Sequence, residues 1–98
     1  MNCNQAVICG KITEIVGLRY TPAGVAVAEF KISHVSRLIE AGMPRRVECE
    51  ISSVALAHMA DSIVGIALGT KVKLIGFLAK KSRMSSQLVL HVNTIDLI

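Results

Sequence analysis

Apolar and polar residues alternate with period two along most of the chain, the spacing that sends one set of side chains inward from a β-strand. In residues 26–34 the set Ala26, Ala28, Phe30, Ile32 alternates with Val27, Glu29, Lys31 and Ser33. In 46–51, Val47, Cys49 and Ile51 face away from Arg46, Glu48 and Glu50. In 71–79, Val72, Leu74 and Leu78 oppose Lys71, Lys73 and Phe77. Two further strands are predicted over 6–16 and 87–97. In the last, Leu88, Leu90 and Val92 give way to Ile95 and Leu97, a change of parity that places a bulge near Asn93. Gly10 and Gly76 interrupt strand patterns, where a glycine marks a bulge or a sharp bend.

One segment has helical spacing instead. Leu56, Met59, Ile63 and Ile66 recur on one face, with Ser52 or Ser53 as the expected cap and Gly69 as the stop. The Pro- and Gly-containing run 17–24 reads as the turn between the first two strands. Residues 36–44 read as a longer arm, and 80–86 as a basic, serine-containing tip. Three strands, a helix and two strands predict an all-β fold: a five-stranded OB-type barrel plugged at one end by a short helix between strands 3 and 4. With 98 residues the chain is expected to form one domain over 1–98.

Composition adds two constraints. The core must be aliphatic, because Tyr20, Phe30 and Phe77 are the only aromatics. Phe30 alternates with Ala28 and Ile32 and is expected in that core. Phe77 shares parity with lysines, which leaves its place open, and Tyr20 falls in a turn with no obvious apolar partner, which favours a functional role. The net charge of +4 is unevenly distributed: between Ser62 and Ile95 there is no acid, yet Lys71, Lys73, Lys80, Lys81 and Arg83 all lie there. The rest of the chain is slightly negative. Lys80, Lys81 and Arg83 on a turn can surround a phosphate backbone without reading a sequence, although a hairpin tip carries lysines for solubility as well. Arg45, Arg46, Arg37 and Lys31 could extend a basic track. Glu29, Glu48 and Glu50 share their faces, and cross-strand pairing of Lys31 with Glu48 or Glu50 would consume charge structurally.

Other chemistries have no anchor in the sequence. Cys3, Cys9 and Cys49 are odd in number and form no CxxC pair, which argues against a disulfide framework or a zinc site and fits a reducing compartment. His34, His58 and His91 show no metal-ligand spacing. No phosphate-cradling glycine loop or nucleophile elbow occurs, so no cofactor and no enzymatic activity are expected. The polar, uncharged opening 1–5 is unlike a signal peptide, and the apolar run 54–68 is too interrupted to span a bilayer, so the expected location is the cytoplasm.

Several runs resemble a known family. Asn4-Gln5-Ala6-Val7-Ile8-Cys9-Gly10-Lys11-Ile12 is similar to the first strand of bacterial single-stranded-DNA-binding proteins. Arg19-Tyr20-Thr21-Pro22-Ala23-Gly24, followed by Ala28-Glu29-Phe30, is similar to their first turn and second strand. Ser33-His34-Val35-Ser36, Glu40-Ala41-Gly42, Gly76-Phe77, Lys80-Lys81-Ser82-Arg83 and Leu88-Val89-Leu90-His91 resemble the primosomal replication protein N branch of that superfamily.

The resemblance implies a homodimer of OB folds that binds single-stranded DNA without catalysis. It also implies partners, the PriA helicase and other primosome proteins, and a role in restarting replication. By resemblance Lys80, Lys81 and Arg83 match a DNA-contacting tip, Arg19 and Tyr20 a first turn that can stack on a base, and Ser33 and His34 the border of the binding face. Members carry aromatics in the arm and third strand where this chain has Met43 and Glu48. That departure sets a second reading beside the first: a protein-binding module whose main role is helicase contact, with DNA binding incidental.

Overall fold

The computed structural model describes residues 2–98, so Met1 of the polar opening run lies outside the described residues. Five strands, β1 (Ala6–Tyr20), β2 (Ala26–Glu40), β3 (Met43–Leu56), β4 (Lys71–Lys80) and β5 (Leu88–Leu97), and one helix, α1 (His58–Val64), follow the predicted order. The strands close into a barrel in the order β1-β2-β3-β5-β4. β3 and β5 meet in parallel at Ser53–Leu90 and Val54–His91, and the remaining neighbours pair antiparallel.

The core follows the period-two reading over 26–32, at Val72 and Leu74 and at Leu90 and Val92, whereas Val47, Cys49 and Leu78 of the same patterns stay outside it. Ile12, Ala26, Ala28, Phe30, Ile32, Ala55, Val72, Leu74, Leu90 and Val92 point inward, and Ala60 and Ile63 of α1 complete the cluster. Phe30 is the largest fully buried side chain, only 1% exposed. It fills the middle of a barrel otherwise lined by aliphatic residues, many of them β-branched or small, which suits the twisted, closed sheet. No helix among the described residues is long and apolar enough to cross a membrane.

Several boundaries differ from expectation. β1 continues past residue 16 to Tyr20, because extra residues at Thr13 and Val16 shift its register against β2 and bend it around the barrel. The predicted turn over 17–24 therefore shrinks. Thr21 closes it, accepting from Gly24 N–H at 2.8 Å and donating its own N–H to Val25 O at 2.9 Å. The arm is not a loop: β2 and β3 stay paired from Val27–Leu56 out to Glu40–Met43, joined by Ala41 and Gly42 at positive φ. This hairpin stretches the molecule to 49 × 33 × 23 Å.

The helix also starts later than the pattern implies. Ser52 and Ser53 do not cap it, since both remain in β3, paired with Lys31 and Phe30. Ala57 precedes the helix at φ 54 with no side-chain cap, its N–H bonded to Ala26 O at 2.8 Å. The strand continues because Ser53 and Ala55 extend the inward parity of Ile51. The helix ends at Gly65, not at Gly69. Gly69 instead ties the following turn to β1, its N–H donating to Ile12 O at 2.7 Å. The expected bulge in β5 is present: Ile75 pairs with Thr94 and Gly76 with Val92, leaving Asn93 unopposed.

Ser53 carries a local cost. Its side chain is buried, and its hydroxyl has no hydrogen-bond partner. Removing a desolvated, unpaired hydroxyl relieves about 1 kcal/mol. Ser53→Ala is therefore expected to raise Tm by about 4–8 °C in a thermal melt, the shift that energy produces in a domain of this size.

Candidate nucleic-acid interface

One flank of the barrel holds a cleft of about 330 Å³. Its floor is the outer face of β2 and β3, with Val27, Glu29, Lys31, Ser52, Val54 and Leu56. Val16 and Arg19 border it from the end of β1, Val89 and His91 from β5, and Lys81 from the tip between β4 and β5. The tip is held in a turn by Lys81 N–H donating to Gln87 O at 2.8 Å and Ser85 N–H donating to Ser82 O at 3.2 Å.

Charges at the cleft fall into two groups. Arg19 lies 3.4 Å from Glu29, and Lys31 sits between Glu14 at 3.7 Å and Glu50 at 3.6 Å. The expected pairing of Lys31 with Glu50 thus forms, while Glu48 takes Arg46 at 3.5 Å. These partly exposed pairs add little stability, but they offset the cations' pull on an approaching anion. Lys80, Lys81 and Arg83 differ: among the described residues, none has a carboxylate within ion-pair distance. Within the cleft and its borders, the uncompensated positive charge thus stands at the tip.

Arg19, Lys31 and Lys81 of the sequence-derived candidates meet at this cleft, with Lys80 and Arg83 on the tip; Tyr20, exposed at the end of β1, is not among the lining residues. The other candidates lie elsewhere. Ser33 lines a separate shallow pocket with Cys9, Gly10, Lys11, Val35, Lys71 and Ile98. His34 is a staple where the arm leaves the barrel, its Nδ1 2.7 Å from Cys9 O and its Nε2 2.8 Å from Ser36 Oγ. Arg45 is paired with Glu40 at 2.7 Å and Arg46 with Glu48, both out on the arm.

Sequence reasoning missed the aromatic element. Phe77 and His91 stack with ring centroids 5.0 Å apart and planes 7° from parallel. His91 lines the main cleft, and together with Phe77, Val54, Leu56 and Met59 it lines a smaller one beside it. A partly exposed flat pair beside an apolar floor is a surface on which a planar ring can stack. The signal was available: once Asn93 is assigned as the extra residue, the β4–β5 register places Phe77 opposite His91.

A five-stranded barrel in this strand order, with its helix between β3 and β4 and a groove across β2 and β3, is an oligonucleotide/oligosaccharide-binding (OB) fold. The wild-type single-stranded DNA binding protein of Thermus aquaticus shares it, with TM-score 0.78 at 22% identity over 98% of this chain and 50% of that one. A solved structure of PriB from Ralstonia solanacearum superposes with TM-score 0.90 at 31% identity, covering 98% of both chains. In sequence, residues 4–94 match the profile described as "another single-strand binding protein family". The replication restart protein PriB of Nitrosomonas europaea is 51% identical over 94% of this chain and 85% of its own length. The chain belongs to the PriB family of the single-strand binding proteins. That family consists of binding proteins rather than enzymes.

Proposed function

We propose that the protein binds single-stranded DNA at the β2–β3 cleft and serves as an accessory factor in replication restart, in the cytoplasm, alongside a helicase of the PriA type. The observation that carries this reading is the unpaired cationic tip, with Lys81 lining a cleft that is also lined by His91, whose ring stacks on Phe77. Lys80, Lys81 and Arg83 supply sequence-independent attraction to phosphates, and the stack supplies a face for one base. Glu29 within the cleft and the neutralised Arg19 and Lys31 keep affinity modest. The name of the 51%-identical relative, a replication restart protein, supports the biological setting.

Dimerisation belongs to the same reading. Among the described residues, Ala6 to Gly10 of β1 pair with β4 on one side and with no strand on the other, because β2 diverges into the arm beyond Ser33. Such an edge seeks a partner strand, and a second copy would supply one. The arm favours protein contact over DNA contact: Val35, Leu38, Ile39 and Met43 are more than half exposed there, while Arg45 and Arg46 are already paired.

The test is titration of a fluorescent single-stranded oligonucleotide at several salt concentrations. Binding is expected to weaken steadily as salt rises, and Phe77→Ala to lose about 1–3 kcal/mol if one base stacks there. A salt-independent signal, or no binding, would overturn DNA binding. A pull-down of the helicase without DNA that survives neutralisation of the tip would leave helicase contact as the main role.

A further inference from the structure

The outer face of β1 and β4 carries a second group of cations. Lys11 and Lys71 are directly opposite in the β1–β4 ladder, and Lys73 lies two residues along β4, opposite Cys9. Lys11 and Lys71 are exposed and Lys73 is half-buried. Among the described residues none of the three forms an ion pair; Asp96, directly opposite Lys73 in β5, is the side-chain carboxylate facing the group and lies beyond ion-pair distance. Like charges placed directly across a ladder repel, so the Lys11–Lys71 pair costs stability when nothing anionic covers it. Lys11 and Lys71 border a concave pocket of about 430 Å³.

This group is continuous with the proposed DNA site. Along β4 the outward positions read Lys71, Lys73, Ile75 and Phe77, ending at the ring stacked on His91 beside the cleft. Six residues of strand separate Phe77 from Lys71, about 20 Å. A polynucleotide leaving the cleft over the stack and following β4 would meet the lysines within the span one OB fold can occupy, about 4–16 nucleotides. A straight track from an aromatic step to a patch of unpaired lysines suits a phosphate backbone better than a compact anion or a folded partner.

We propose that Lys11, Lys71 and Lys73 form a second phosphate-backbone contact, engaged only by single strands long enough to run from the cleft along β4. This rests on the reading of the cleft as a single-stranded DNA site. The experiment compares a four-nucleotide and a thirty-nucleotide oligothymidylate across salt concentrations. It uses the wild type, Lys11→Gln/Lys71→Gln/Lys73→Gln, and Lys80→Gln/Lys81→Gln/Arg83→Gln. For the first variant, unchanged binding of the short strand and about 25-fold weaker binding of the long strand at 0.1 M salt are expected. The salt slope should fall by about 1.4, from two phosphates at about 0.7 each, one shared by the facing Lys11 and Lys71 and one at Lys73.

Unchanged long-strand binding in that variant, with binding lost in the tip variant, would overturn the second contact and leave the cleft standing. Equal losses for both lengths would overturn it too, since the lysines would then belong to the primary site. Deca-glutamate serves as a peptide control: if it binds the wild type, fails with the lysine variant, and long-strand DNA is unaffected, the patch is a protein-docking surface instead. Failure of the wild type to bind either strand would remove the cleft reading and this one together.

Discussion

Neutralising the tip, with Lys80→Gln, Lys81→Gln and Arg83→Gln in one chain, is expected to weaken binding of a short single-stranded oligonucleotide by about 100-fold at 0.1 M salt. Three phosphate contacts account for a slope of about 2 in log affinity against log salt, and at 0.1 M each unit of slope is about tenfold. Fluorescence anisotropy over a salt series reads both the affinity and the slope. The large effect follows from the absence of compensation: among the described residues these three side chains have no carboxylate within ion-pair distance. Arg45→Gln with Arg46→Gln provides the contrast. Those cations face Glu40 and Glu48 on the exposed arm, so the change should leave slope and affinity nearly as they were. If the arm pair proves as important as the tip, the balance of charge drawn from the ion pairs is wrong and the arm must lie on the DNA path.

The parts of this molecule that were legible in the sequence are those governed by period two. Alternation of Ala26, Ala28, Phe30 and Ile32 identified a core face, and the parity break in β5 located the bulge at Asn93. Local patterns fail where tertiary pairing overrides them. Ser52 and Ser53 have the chemistry of a helix cap, but β3 is held extended by its ladder to β2 and its contact with β5, so the helix begins only after Ala57. The arm was hidden for a related reason: with few inward hydrophobic residues beyond His34, its alternation is faint, and only the β2–β3 register reveals a hairpin.

The site was partly legible. Charge along the chain located the cationic tip, because absence of acid from 62–95 is a property of sequence alone. Which cations are neutralised is a property of geometry. Lys31 met the carboxylate expected of it, Glu50, and a second, Glu14, from a strand whose register could not be read locally. His34, matched by resemblance to the binding face, is engaged at the branch point by Cys9 and Ser36. The Phe77–His91 stack required the inter-strand register.

Gly76→Ala is expected to be the most damaging small change, because it strikes fold and site at one point. A Cβ at Gly76 would stand 2.8 Å from the His91 carbonyl carbon and 3.1 Å from Val92 Cα, both backbone atoms that cannot rotate away. β4 and β5 would have to separate where the bulge already interrupts their ladder. Overpacking of this kind costs about 3 kcal/mol, which lowers Tm by more than about 10 °C in a domain of this size. The displaced residue is His91, so its stack on Phe77 opens and oligonucleotide binding falls with stability. Gly10→Ala separates the two effects. There the added carbon meets Ser33 O at 2.6 Å, between β1 and β2 and away from the stack. It should lower Tm while leaving binding of a short oligonucleotide intact in the protein that remains folded. If Gly76→Ala melts within about 2 °C of the wild type, the strands are not in this close contact. If it is destabilised but binds normally, the Phe77–His91 pair is not part of the DNA surface.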